Sequence, residues 1–139
     1  MSLDFEIRLE KPITNKEKDL IEEIVNTVFS EVYIEPMTVD CKRIVYLENF
    51  NITHNLIKMA KEAGIYKALW HPNENGYFVA GDVIDVLQGG YDDFLERPEY
   101  YKQFNSPNGW GMYKSMVPFV EDVIRACKRY PNAKIETST

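Results

Sequence analysis

Residues 4–9, Asp-Phe-Glu-Ile-Arg-Leu, alternate charged and apolar side chains. A period of two sets Phe5, Ile7 and Leu9 on one face of a half-buried strand. At the other end, residues 133–137 read as a short strand anchored by Ile135. Most of what lies between follows helical spacing. A strand with one apolar face must be covered and must have a neighbour, and the segment most economically placed to supply one lies beyond the helices. The expected fold is therefore α+β: a small antiparallel sheet pairing the N- and C-terminal strands, with a cluster of four or five helices packed on one face. The length of 139 residues suits a single globular domain, 1–139, with its own core.

The helical segments have legible starts and stops. Thr14-Asn15-Lys16-Glu17 has the form of a capping box, and Leu20, Ile21, Ile24, Val25, Val28 and Phe29 follow as the apolar stripe of a helix over about 15–30. Val32-Tyr33-Ile34 reads as a short strand stopped by Pro36, and 43–47 as a strand buried on both faces. Thr53 is expected to cap a second helix that Gly64 ends. A third helix starts near Ala80 and contains Gly89-Gly90, which marks either a close helix–helix contact or a break into two helices. Pro98 opens a short helix to Phe104. The last helix runs from Trp110 or Gly111 to Arg129, and Pro118 should kink or restart it.

Composition removes several function classes. A net charge of −6 with scattered basic residues disfavours nucleic acid, whose phosphates reward Lys and Arg. No apolar run reaches the roughly 20 residues of a membrane span, and Met1-Ser2-Leu3-Asp4 lacks the basic and apolar regions of a signal peptide, so no membrane association and a cytoplasmic setting are expected. Cys41 and Cys127 form no C-x-x-C unit and read as reduced, small residues. His54 and His71 are not spaced as ligands on one helix, so no metal and no cofactor is expected. The acids Asp82, Asp85, Asp92, Asp93 and Glu96 read as a solvated helix face.

Two short segments could carry binding chemistry. Asn51-Ile52-Thr53-His54-Asn55 gathers polar groups at a helix start, where free backbone amides and a titratable imidazole could hold an anion or a carbonyl oxygen. Capping alone also explains that composition. Asn108-Gly109-Trp110-Gly111-Met112-Tyr113 combines glycines that permit close backbone approach with aromatics that could floor a pocket, though a tight turn beside a buried Trp would look the same. The candidate binding residues are Asn51, His54, Asn55, Asn108, Trp110 and Tyr113, with no catalytic residue assigned. Tyr100, Tyr101 and Phe104 form an aromatic cluster that is either core or the seed of a partner surface.

The ordered runs Asn51-Ile-Thr-His-Asn-Leu56, Met59-Ala60, Ala63-Gly64-Ile65-Tyr66 and Leu69-Trp70-His71-Pro72 resemble the body of a family of small hypothetical proteins from bacteria and their phages. Asn108-Gly-Trp-Gly111, Tyr113, Phe119-Val120, Ala126-Cys127 and Tyr130-Pro131-Asn132-Ala133 continue it, over about residues 50–139. That family has no assigned activity, so the resemblance implies a bacterial or phage source and no catalytic role. Residues 10–48 form an enlarged N-terminal portion relative to it, and Pro118 stands where a helix former is expected.

With catalytic signatures missing and aromatics at 13%, the expectation is a non-enzymatic binding or protein-interaction protein, with a homodimer or protein partner. The alternative is a small enzyme or ligand binder whose pocket brings Asn51–Asn55 to the Asn108–Tyr113 turn. A third reading is an inhibitor whose acidity faces a basic partner. The alternative requires His54 and Trp110 to share a concave site.

Overall fold

Strand β1 (Ser2–Pro12) is the centre of a three-stranded antiparallel sheet, between β2 (Lys42–Thr53) and β3 (Lys134–Ser138), in a computed structural model that describes residues 1–12, 14–28 and 42–139. Ile7 lies opposite Ile135 and Phe5 opposite Thr137. Leu3, Phe5, Ile7 and Ile135 are buried while Asp4, Glu6 and Arg8 between them are only partly covered, as the alternation requires. The sheet that pairs the two terminal strands is therefore present, and the α+β expectation holds.

By its contacts the chain divides into two units, residues 1–8 with 46–139 and residues 9–45. The smaller contains α1 (Asn15–Val28). Its capping box forms as the sequence specifies: the Glu17 amide donates to Thr14 Oγ1 at 3.2 Å and the Thr14 amide to Glu17 Oε2 at 3.0 Å. Leu20 and Ile24 of its apolar stripe nevertheless stand more than half exposed. The expected strand at Val32-Tyr33-Ile34 and the residues Phe29 and Cys41 lie outside the described residues.

The larger unit holds the core. A 3-10 turn (His54–Leu56) leads from β2 into α2 (Ile57–Glu62), and α3 (Tyr66–Trp70) follows Gly64, whose φ of 74° supplies the left-handed stop. A second 3-10 turn (Asn73–Asn75) precedes α4 (Ala80–Glu96), then α5 (Pro98–Lys102) and α6 (Tyr113–Arg129). Leu56, Met59, Ile65, Leu69, Val83, Leu87, Phe94, Met116, Val120 and Val123 are fully buried. Each large apolar side chain so placed contributes roughly 1.5–3 kcal/mol.

The structure decides several further expectations, some of them against the sequence reading. The strand read at 43–47 extends to Thr53 and is an edge strand, so Ile44, Val45 and Tyr46 are exposed rather than buried on both faces. The segment 51–53 is strand, and Thr53 caps the 3-10 turn instead of an α-helix. Helix α4 is unbroken through Gly89-Gly90, because Gly90 packs closely: a Cβ there would meet Ile65 Cγ2 at 2.3 Å and the Ala63 carbonyl oxygen at 3.2 Å. Helix α6 starts at Tyr113 and continues through Pro118 without restarting. Cys127 is a buried core residue whose thiol is pushed up to about 12 by burial, which keeps it in the unreactive protonated form.

The expected aromatic cluster is mostly structural. Tyr101 is fully buried, edge-on to Phe94 at 4.7 Å between centroids, and its hydroxyl donates to Asp93. Arg97 donates to the same carboxylate through Nε at 2.8 Å and stacks its guanidinium over Tyr100 at 4.5 Å. Hydrogen bonds from Arg97 and then Tyr101 hold the Asp93 carboxyl down at about 2, while burial, with Asp93 beside it, pushes the Tyr101 phenol up to about 12. A carboxyl whose folded value lies below its ordinary 3.8 contributes stability that is complete above 3.8 and disappears as pH falls through about 2. Asp93→Asn should therefore be less stable than wild type at neutral pH, and the gap in urea midpoints should close as pH falls from about 4 to 2. A gap that stays constant over that range would remove the charge-based account.

Candidate functional site

The end of β2 is tied to the start of β1 by side chains. Asn51 Nδ2 donates to Ser2 Oγ at 3.0 Å and to Asp4 Oδ1 at 2.6 Å, so both its amide hydrogens are engaged. Thr53 is extended (φ −70°, ψ 143°), and its hydroxyl accepts from the Asn55 amide at 3.3 Å, which turns the chain out of the sheet. His54 is fixed from below: the indole Nε1–H of Trp70 donates to His54 Nδ1 at 2.9 Å. An indole N–H only donates, so Nδ1 must accept and the neutral imidazole carries its proton on Nε2. Trp70 is buried, and its carbonyl accepts from the Thr137 hydroxyl of β3 at 3.3 Å.

The turn before α6 is closed by its own polar groups. Asn108 Oδ1 accepts from the Trp110 amide at 2.9 Å and from the Ser106 hydroxyl at 2.6 Å. The Ser106 amide donates to the Gly111 carbonyl at 3.1 Å, and the Tyr113 amide to Asn105 Oδ1 at 2.6 Å. Gly109 (φ 77°) and Gly111 (φ 104°) adopt left-handed backbone that other residues resist. These bonds fix the backbone at Trp110, and the residue itself stands 70% exposed.

The two segments meet directly. Asn55 Nδ2 donates to the Trp110 carbonyl at 2.7 Å. Gly111 lies so close that a Cβ on it would sit 2.7 Å from Asn55 Cβ. Between them opens a depression of about 940 Å³, lined by residues 1–2, 51–55, 108–111 and 115. Among the described residues no Lys, Arg, Asp or Glu side chain lines it. Its polar side chains are amides, hydroxyls and one imidazole.

On its other side His54 also borders a smaller depression of about 360 Å³, with Ile57, Tyr66, Trp70 and His71. Tyr66 stacks on Trp70 at 5.6 Å, its hydroxyl lies 3.0 Å from His71 Nε2, and His71 Nδ1 lies 3.3 Å from Glu74 Oε1. The carboxylate takes Nδ1–H, so Nε2 accepts the phenol proton and both ring nitrogens of His71 are occupied.

Of the residues expected from the sequence, Asn51, His54, Asn55, Asn108 and Trp110 line the larger depression together. Tyr113 does not: its hydroxyl donates to the Phe94 carbonyl at 2.7 Å and ties α6 to α4. Trp110 precedes the helix and stands in solvent, not in the core. Ser2 and Ser115 join the lining without having been singled out, Ser2 through cross-strand register and Ser115 through the first turn of α6. Asp82 accepts from the Phe78 and Val79 amides at 3.0 and 3.1 Å, bonds that lower its pKa, and so caps α4 rather than serving a site. Among the described residues no group of three or more His, Cys, Asp or Glu is placed to hold a metal ion, and no helix is long and apolar enough to cross a membrane. Comparison with protein families, with curated proteins and with solved structures finds no match.

Proposed function

We propose that this chain is a non-enzymatic binding protein whose ligand seats in the depression between residues 51–55 and the turn at 108–111. The observation that carries the reading is the direct bond from Asn55 to the Trp110 carbonyl, which holds the backbone carrying an exposed indole at the rim of an open cleft lined by no Lys, Arg, Asp or Glu side chain among the described residues. Leaving an indole in water forgoes burial worth on the order of 2–3 kcal/mol. A backbone locked in that geometry is preorganised to recover that energy from a ligand. His54, the one imidazole among the described lining residues, already accepts from Trp70 at Nδ1, and no group of three or more His, Cys, Asp or Glu is placed there to hold a metal, which supports binding over catalysis. A cytoplasmic setting and kinship with the small bacterial and phage proteins belong to the same proposal and rest on sequence alone.

Screening a small-molecule fragment library by amide and indole chemical shifts should gather the hits at residues 51–55 and 108–111. Trp110→Ala should abolish them while changing unfolding free energy by less than about 0.5 kcal/mol, since the side chain is exposed. Hits that gather elsewhere and survive Trp110→Ala would refute the site. The homodimer reading uses the same indole as its contact. It is favoured instead if light scattering gives twice the monomer mass for the wild type and monomer mass for Trp110→Ala.

A further inference from the structure

We propose that the depression takes a neutral carbohydrate, with one sugar ring lying on the indole of Trp110. This rests on the reading of the depression as the binding site and names the ligand class it suits. The Trp110 amide is held by Asn108 and its carbonyl by Asn55, so the backbone that carries the exposed indole is anchored beside the cleft and the ring offers an apolar platform there. The electron-rich face of an aromatic ring attracts groups that carry partial positive charge. The C–H bonds on the flat face of a pyranose are such groups.

The surrounding polar groups match the rest of a sugar. Asn51 has committed both amide hydrogens within the protein and keeps its carbonyl oxygen as an acceptor. Asn108 is the converse: its oxygen accepts two internal bonds, and its NH2 remains as a donor. His54 adds the Nε2–H, since its Nδ1 accepts from Trp70. Sugar hydroxyls both donate and accept, so a lining that offers acceptors and donors and no Lys, Arg, Asp or Glu side chain among the described residues is complementary to them.

Other stacking ligands fit less well. A nucleic acid would place bases on the indole, but its phosphates require a cationic track, and the lining supplies no Lys or Arg in a chain of net charge −6. A proline-rich peptide docks in a groove lined by several aromatics. Here Trp110 is the sole Trp, Tyr or Phe among the described lining residues. The open form of the cleft suits a chain of sugars crossing the surface more than an enclosed small molecule.

The test is titration of the isotope-labelled 139-residue chain with cellohexaose, chitohexaose and maltohexaose, and separately with a poly-L-proline peptide and an oligothymidylate. At least one oligosaccharide should shift the Trp110 indole signal to saturation. The Trp70 indole, buried and bonded to His54, should move far less. Trp110→Ala should weaken binding about tenfold or more, with Trp110→Phe recovering part of the loss because a smaller platform remains. The carbohydrate assignment is overturned if no oligosaccharide moves the Trp110 signal at millimolar concentration, or if saturation is indifferent to Trp110→Ala. Saturation by the peptide or the oligonucleotide alone overturns the ligand class and leaves the site standing. Shifts that cluster away from residues 51–55 and 108–111 overturn both.

Discussion

Phe94→Ala should lower the unfolding free energy by roughly 3–5 kcal/mol, the range for emptying a large aromatic site in a packed core. Phe94 is fully buried on α4 and meets two rings edge-on, Tyr101 at 4.7 Å and Tyr113 at 6.2 Å. Its carbonyl also receives the Tyr113 hydroxyl, so one residue joins α4 to α5 and α6. Domains of this size have only about 5–15 kcal/mol in total, so the alanine variant will sit close to the unfolding threshold. Phe94→Leu keeps most of the volume and should cost about half as much, which keeps the comparison measurable by urea denaturation. Phe78, a phenylalanine exposed by 59%, is the control, and its alanine variant should lose less than about 1 kcal/mol. Equal losses at the two positions would contradict the assignment of Phe94 to the core.

Gly111→Ala should cost roughly 1–3 kcal/mol through backbone strain alone, because φ of 104° is a region that L side chains resist. Its added methyl would also stand 2.7 Å from Asn55 Cβ, with Asn55 backbone atoms at 3.2 and 3.4 Å behind it. Backbone does not move aside as a flexible side-chain tip can, so the turn itself must lift away from residue 55. That movement breaks the bond from Asn55 to the Trp110 carbonyl, and ligand binding should fall with stability. Gly109→Ala separates the two effects. Its φ of 77° carries a strain of about 1 kcal/mol, yet a Cβ there meets nothing within 4 Å, so the contact with Asn55 and the binding should survive. If both variants bind alike, the close seat of Gly111 on Asn55 does not shape the cleft.

Much of the fold was legible because its signals are local. The period-two pattern at 4–9, the Thr14–Glu17 capping box, Gly64 as a helix stop and Pro98 at a helix start each act within a few residues, and each is found where the sequence puts it. The errors arise where a distant partner decides. An apolar run such as 43–47 reads as a doubly buried strand, but its place at the sheet edge depends on which strands flank β1. Gly89-Gly90 admitted two readings until Ile65 appeared against Gly90. Asn51, His54, Asn55, Asn108 and Trp110, singled out by residue chemistry, line one depression, whereas Tyr113 lies apart from it because its hydroxyl reaches Phe94, which nothing nearby in sequence reveals. Ser2 was invisible for the same reason, since strand register alone brings it to Asn51.

The central position of β1 has a consequence for biosynthesis. Ile7 is matched to Ile135, so the sheet cannot be completed until the ribosome has made nearly all of the described chain. During that interval Phe5 and Ile7 lack their outer neighbour, and the nascent chain carries an open strand edge, the kind of surface that chaperones hold and that misassembles with other chains. Closing a contact between such distant segments is also entropically slow. The last helix and strand thus act as a latch: a nascent chain stalled before Lys134 would emerge with helices able to form and a sheet that cannot close.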